Sequence, residues 1–202
     1  MDGFSQIPLD EALEAIGEDE IKTILSSFNC PLNKDVEDFL HTKAIVFSKQ
    51  GLAKTYLIFA SRKSKNELVA YYTIASKYIH ITSGYLSANL RKRLKRFARY
   101  HKEIKCYIMQ SDLIAQLGKN YRDGLDKLIS GDELLKMACE RIQYVQALIG
   151  GKTVYIECEE TDKLMEFYKR NGFCYFGKRL LDKDERDKMS GYYLAQMIKY
   201  TG

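Results

Sequence analysis

The chain has 202 residues, 46% hydrophobic and 29% charged with two prolines, the composition of an ordinary folded protein long enough to bury a substantial core. No apolar run approaches the roughly 18 residues that span a bilayer, and Met1 to Asp10 lacks the basic region and apolar stretch of a secretion signal, so a cytoplasmic protein is expected. Net charge is +5, yet Arg91 to Lys105 alone carries +7, which leaves the rest of the chain slightly acidic.

Leu9, Leu13 and Ile16 recur at helical spacing and predict a helix over about Leu9 to Leu25, broken near Gly17. A second helix is expected from Lys34 to Lys49, with Asn33 as N-cap and Gly51 as its stop. Val36, Phe39, Leu40, Ala44 and Phe47 share one face of it. Thr55 to Ala60 and Leu68 to Ala75 read as a hairpin around Arg62 to Asn66, and Tyr78 to Thr82 as a third strand. The basic segment follows. Leu90, Leu94 and Phe97 on one face, with cations on the others, predict an amphipathic helix.

Ile104 to Leu117 reads as a long strand with a bulge or bend. Helical periodicity returns from Asp132 to Ala147 and ends at Gly150-Gly151. Thr153 to Cys158 is a strand, and Asp162 to Arg170 a short helix closed by Asn171-Gly172. Phe173 to Leu180 and Tyr192 to Tyr200 are the last strands, joined by the charged loop Asp182 to Ser190. This order implies a single α/β domain, residues 1–202, with a mixed, mostly antiparallel sheet of about six to seven strands flanked by helices. Residues 1–50 form its helical part and 51–202 its sheet. Cys30, Cys106, Cys139, Cys158 and Cys174 form no CxxC pair, and His41, His80 and His101 show no ligand spacing, so no metal is expected.

Leu164-Met165-Glu166-Phe167-Tyr168-Lys169-Arg170-Asn171-Gly172-Phe173, in this element order, resembles the GNAT superfamily of acetyl-CoA-dependent N-acetyltransferases. There a short helix carries a tyrosine and a Gly-Phe turns into the next strand. The resemblance covers about Leu68 to Tyr200. Phe28-Asn29-Cys30, Gly51 to Tyr56 and Ala70 to Ala75 resemble one branch, the toxins that acetylate aminoacyl-tRNA. The resemblance implies acetyl-CoA as cofactor, Tyr168 as general acid toward the coenzyme sulfur, a homodimer and a small antitoxin partner. It places the acetyl carbonyl beside backbone N–H groups of Gln116, Leu117 and Gly118. The family's pyrophosphate loop is degenerate here, since Asp126 and Ile129 stand where Gln or Arg and Gly are usual. Ile129, Ser130, Gly131 and Asp132 remain as the phosphate cradle, because any N–H at a helix N-terminus can serve.

No side chain suggests a general base: Glu157, Glu159, Asp112 and Gln110 read as solvated or strand-end groups. A site without a base suits an amine of low pKa, such as an α-amino group near 8 rather than a lysine near 10.4. The cations Arg91, Lys92, Arg93, Lys95, Arg96 and Arg99, with Tyr100 and Tyr107 nearby, fit a phosphate backbone. Three readings stay open: an acetyltransferase for aminoacyl-tRNA, one for a protein or small-molecule amine, and a GNAT-like module that binds acyl-CoA without catalysis.

Overall fold

The computed structural model describes residues 3–201 except Ser83, Tyr85, Ser87, Asp184, Glu185 and residues 187–190; of Leu90 only the backbone is described. The loop expected over Asp182 to Ser190 therefore lies largely outside the described residues. The strands follow the order β1-β2-β3-β5-β6-β8-β7, with β4 (Arg99–His101) on β5. Every described ladder is antiparallel except β5–β6, which is parallel. Two compact units are distinguished. The described residues of Met1–Ala75 and Ile114–Arg141 form the first; those of Ser76–Leu113, Ile142–Arg186 and Ser190–Gly202 form the second.

In the first unit, α1 (Leu9–Ile16) and α2 (Glu18–Ser26) break at Gly17, whose φ of 85° disfavours any side chain. Asn33 caps the next helix, accepting the Val36 N–H at 3.2 Å. The expected single helix is α3 (Lys34–Asp38) and α4 (Ala44–Lys49), joined by a π-helical turn, Phe39–Lys43. Leu9, Ile21, Leu25, Val36, Leu40 and Ala44 pack over Leu57, Leu68 and Tyr71 of β2 (Lys54–Arg62) and β3 (Lys65–Thr82). Tyr56 and Tyr72 pair across the same hairpin and stack at 5.0 Å, with the Arg141 guanidinium 4.9 Å from the Tyr56 ring.

Two expectations about strands are corrected. Tyr78 to Thr82 is no separate strand but the end of the 18-residue β3. Within it Ser76 accepts from Gln110, and Lys77 meets Glu157. Two short strands were not expected, β4 and β1 (Phe4–Pro8), the latter pairing Phe4 with Ala60.

The second unit holds β4, β6 (Thr153–Glu159), β7 (Cys174–Leu180) and β8 (Tyr193–Tyr200), with α7 (Asp162–Arg170) touching both β6 and β7. Its core joins Ile79, Ile81, Leu94, Met109, Tyr155, Phe176 and Ile198. The β5 strand (Cys106–Lys119) pairs with β6 through Asp112↔Val154 and Leu113↔Tyr155. Its pairings with β4 and β6 carry no register shift, so the expected bulge is not found in either ladder. The helix α6 (Gly131–Ile149) follows a short 3-10 segment, Arg122–Lys127.

Candidate functional site

Gln116, Leu117 and Gly118 lie near the end of β5, in the first unit. The Gln116 amide donates to Asp35 Oδ2 at 3.0 Å, and Leu117 is half-buried. Gly118 serves close packing. A Cβ there would stand well inside contact with Val36 Cγ1, and 3.3 Å and 3.4 Å from Phe28 Cζ and Tyr71 Cε1.

Two residues that the sequence did not single out build the loop between β5 and α6. Asn120, buried, donates to Leu68 C=O at 2.8 Å and accepts the Asn29 and Arg122 N–H groups at 3.0 Å each. Lys119 turns its ammonium onto the Asp126 and Ile129 carbonyls at 2.9 and 3.2 Å. Both are polar residues whose partners are fixed only by the fold, so their spacing carried no signal.

The loop delivers the buried Ile129 and then Ser130 to the start of α6. The helix ladder begins with Leu134 N–H on Ser130 C=O at 3.1 Å, so the amides of Gly131 and Asp132 precede it. Ser130 and Glu133 form a capping box. Ser130 Oγ accepts the Glu133 N–H at 3.1 Å, while Glu133 Oε2 accepts from the Ser130 N–H and hydroxyl at 2.9 and 2.7 Å. These bonds, the hydroxyl's first, hold the Glu133 carboxyl below the usual carboxylate range. An incoming phosphate would compete with that carboxylate for the Ser130 amide. The Ser130 amide is therefore already engaged by Glu133, and the Glu133 amide by the Ser130 hydroxyl.

Tyr168 belongs to the second unit. Thr161 caps α7, accepting the Leu164 N–H at 3.4 Å. At the other end Gly172 takes φ 85°, Phe173 N–H bonds Tyr168 C=O at 3.0 Å, and Gly172 N–H bonds Lys169 C=O at 3.0 Å. This is a Schellman stop, in which the third residue from the end and the second beyond the cap make an apolar contact. Those residues are Tyr168 and Phe173, their rings 5.7 Å apart at 72°. The tyrosine-to-phenylalanine spacing that carried the family resemblance is thus the spacing of a helix stop. It buries Tyr168 to 9% exposure and Phe173 to 2%.

Glu157, expected as a solvated or strand-end group, lies near the end of β6 but is not solvated. Its side chain is 11% exposed, bonded to Arg179 Nη2 at 2.8 Å, Lys77 Nζ at 3.2 Å and the Tyr155 hydroxyl. Burial opposes its ionisation, but the Arg179 and Tyr155 bonds and the Lys77 charge outweigh it, keeping the carboxyl below its ordinary range. A carboxylate so held is a poor base. Asp112 is engaged by Gln146 at 2.8 Å and Gln110 by Ser76 at 2.7 Å. Burial, then Glu159 and Glu160, push the Cys158 thiol up to about 12, so it is no nucleophile.

The basic helix is shorter than expected. Only α5 (Ala88–Leu94) is helical, carrying Arg91, Lys92 and Arg93. Lys95 and Arg96 lie in the following turn and Arg99 on β4, so Arg99 is not a helix residue. Leu94 alone of the expected apolar face is shown buried, while Phe97 is 42% exposed against Tyr200. All six cations are exposed; Lys92, Arg93 and Arg96 with Asn89 line a cavity of about 360 Å³. Tyr100 of β4 and Tyr107 of β5 set their rings 5.0 Å apart, tilted at 56°. Among the described residues no three of His, Cys, Asp and Glu are grouped to hold a metal ion, and no helix is long and apolar enough to cross a membrane.

No protein-family model matches the sequence, nor does any curated protein. Solved structures match it over its whole length. A tyrosine-to-phenylalanine mutant of the AtaT toxin superposes with TM-score 0.62 at 16% identity, covering 100% of this chain and 91% of that one. AtaT complexed with acetyl-methionyl-tRNAfMet gives 0.59 at 15% identity, covering 95% and 93%. A tyrosine-to-phenylalanine mutant of KacT gives 0.62 at 14%, covering 99% and 96%. This is the GNAT fold. The expected architecture is confirmed, with eight strands rather than six or seven. The coenzyme candidates and Tyr168 occupy different units of that fold, and the six cations share a unit with Tyr168.

Proposed function

We propose that the chain is an acetyl-CoA-dependent N-acetyltransferase acting on the α-amino group of an aminoacyl-tRNA. The full-length likeness to AtaT, solved with acetyl-methionyl-tRNAfMet and, elsewhere, with acetyl-CoA and the C-terminus of AtaR, carries this reading. A small antitoxin that covers the enzyme and a homodimeric state belong to the same proposal.

Bound acetyl-CoA would supply an activated acyl thioester. The backbone of Gly131 and Asp132, and of Ser130 once Glu133 moves aside, would hold its phosphates. Gln116, Leu117 and Gly118 lie on β5 beyond Leu113, the last residue β5 pairs with β6. Their amides are the donors assigned to the developing oxyanion, an effect worth about 3 kcal/mol per donor in comparable sites. Tyr168 holds the proton for the departing sulfur at its Oη. A phenol near 10 donating to a thiolate near 8.5 is uphill by about 2 kcal/mol, so its contribution sits at the low end for general acids. The carboxylates nearest to a base role are tied up in Glu157 and Asp112, which favours an acceptor whose amine loses its proton near neutral pH. Exposed cations on α5 and β4 suit the phosphates of the acceptor.

The test is incubation with charged tRNA and labelled acetyl-CoA. Transfer that requires the aminoacyl ester supports the reading; transfer only to free amines or to protein removes the tRNA assignment. A second reading is favoured by one observation, the capping box on Ser130. If calorimetry shows no acetyl-CoA binding, the chain is a GNAT-like module without catalysis.

A further inference from the structure

The first unit contains a second cationic concavity, formed by the β2–β3 turn and the start of the loop between β5 and α6. The β2–β3 turn consists of Lys63 and Ser64 alone, both left-handed at φ 50° and 63°. Such two-residue turns are made most cheaply by Asn and Gly, and a lysine there is conformationally costly. Asp123 and Gly124 adopt the same region, at φ 53° and 73°. Arg62 clamps the two turns together, its Nη1 donating to Asp123 C=O at 2.8 Å. The buried Leu125 and the Asn120 bonds pin the second turn to the core.

Between them lies a cavity of about 580 Å³ lined by Arg62, Lys63, Lys65 and Arg122, with Glu67 and Asp123 as the acidic members. Four cations against two carboxylates leave it net positive. Among the described residues lining it, Arg122 pairs with Asp123 at 3.5 Å through side chains 56% and 79% exposed, so the pair holds little charge back.

We propose that this groove binds successive phosphates of a nucleic-acid strand. Its volume exceeds what one small anion fills, and its cations sit on two clamped turns rather than on a mobile tail. Lysines act there as point charges and the arginines as forked donors, the usual division for phosphate contacts. Assigning the phosphates to nucleic acid rests on the tRNA reading above; the phosphate chemistry of the groove does not.

The test is the Lys63→Glu/Lys65→Glu variant in two arms: anisotropy with an unacylated tRNA transcript, and calorimetry with adenosine 3′,5′-bisphosphate. The RNA arm is expected to lose about tenfold or more in affinity near 0.1 M salt, with a salt slope shallower by about 1 or more. Glu67→Gln/Asp123→Asn, which removes repelling carboxylates and keeps a residue tolerant of the left-handed turn, should tighten RNA binding instead. That opposite shift excludes misfolding as the cause. A loss confined to the bisphosphate arm overturns the nucleic-acid assignment in favour of a nucleotide phosphate. No change in either arm overturns the groove. If the wild type binds no tRNA, the tRNA reading fails and the bisphosphate arm alone decides the groove.

Discussion

Replacing Gly118 with Ala tests the packing that fixes the end of β5. The new Cβ would enter the space of Val36 Cγ1 and press on Phe28 and Tyr71, themselves in edge contact at 5.1 Å. Val36 cannot easily yield, since its N–H is held by Asn33 and its carbonyl by the Tyr71 hydroxyl. Overpacking of this kind costs about 1–3 kcal/mol, and the lower entropy of the unfolded alanine chain returns roughly 0.5–1 kcal/mol. The net runs from about zero to about 2.5 kcal/mol. Since the Cβ enters well inside contact, the upper half is expected, a loss of about 1–2.5 kcal/mol that should lower Tm by about 2–10 °C for a chain of this size. Calorimetric melting of Gly118→Ala, Val36→Ala and the double variant gives the answer. Removing Cγ1 should relieve the clash, so the double variant should be more stable than additivity allows by at least about 0.5 kcal/mol. A Gly118→Ala protein that melts like wild type, or strict additivity, would refute the close approach.

Tyr168→Phe should slow acetyl transfer by about 10²-fold while keeping the ring contact with Phe173 that accompanies the Schellman stop; an unchanged rate in a transfer assay removes the proton role. Phe173→Ala should instead cost about 3 kcal/mol or more in urea unfolding, since it empties the contact that stops α7. Glu157→Gln should destabilise at neutral pH by removing the charge partner of Lys77 and the buried one of Arg179, whose remaining pair with Asp182 is exposed. Its folded carboxyl lies below the unfolded value, so the wild type holds this stability above about pH 4.5 and loses it as pH falls through the folded pKa; melts from pH 7 to 3 should show the two proteins converging. Glu133→Gln should loosen the start of α6 slightly yet tighten acetyl-CoA in calorimetry, because the competing carboxylate is gone; weaker binding would show that Glu133 does not compete.

What the sequence disclosed were features written in local periodicity. The limits of α7 and its glycine stop, the break at Gly17, the Asn33 cap and the span of α6 all depend on neighbours within a turn or two. What escaped depended on distant partners. The five residues of β1 are a strand only because Ala60 and its neighbours pair with them, and β3 runs on through Ser76 and Lys77 within a sheet that places β5 beside it. Asn120 and Lys119 look like loop polarity until Leu68, Asp126 and Ile129 are in place. Nothing local marked Gly118 as a packing residue; Val36 and Phe28, distant in sequence, make it a point of close approach. The basic helix was overextended because charge density gives no boundary, and β4 claims Arg99 through Ile108.

The central claim is transfer of an acetyl group to the amine of an aminoacyl-tRNA. Labelled acetyl-CoA, supplied with charged and with uncharged tRNA, tests it in one experiment. The account predicts label on charged tRNA that is released with the amino acid on mild alkaline hydrolysis, and none on uncharged tRNA. No label on any aminoacyl-tRNA, with acetyl-CoA binding intact, would contradict it.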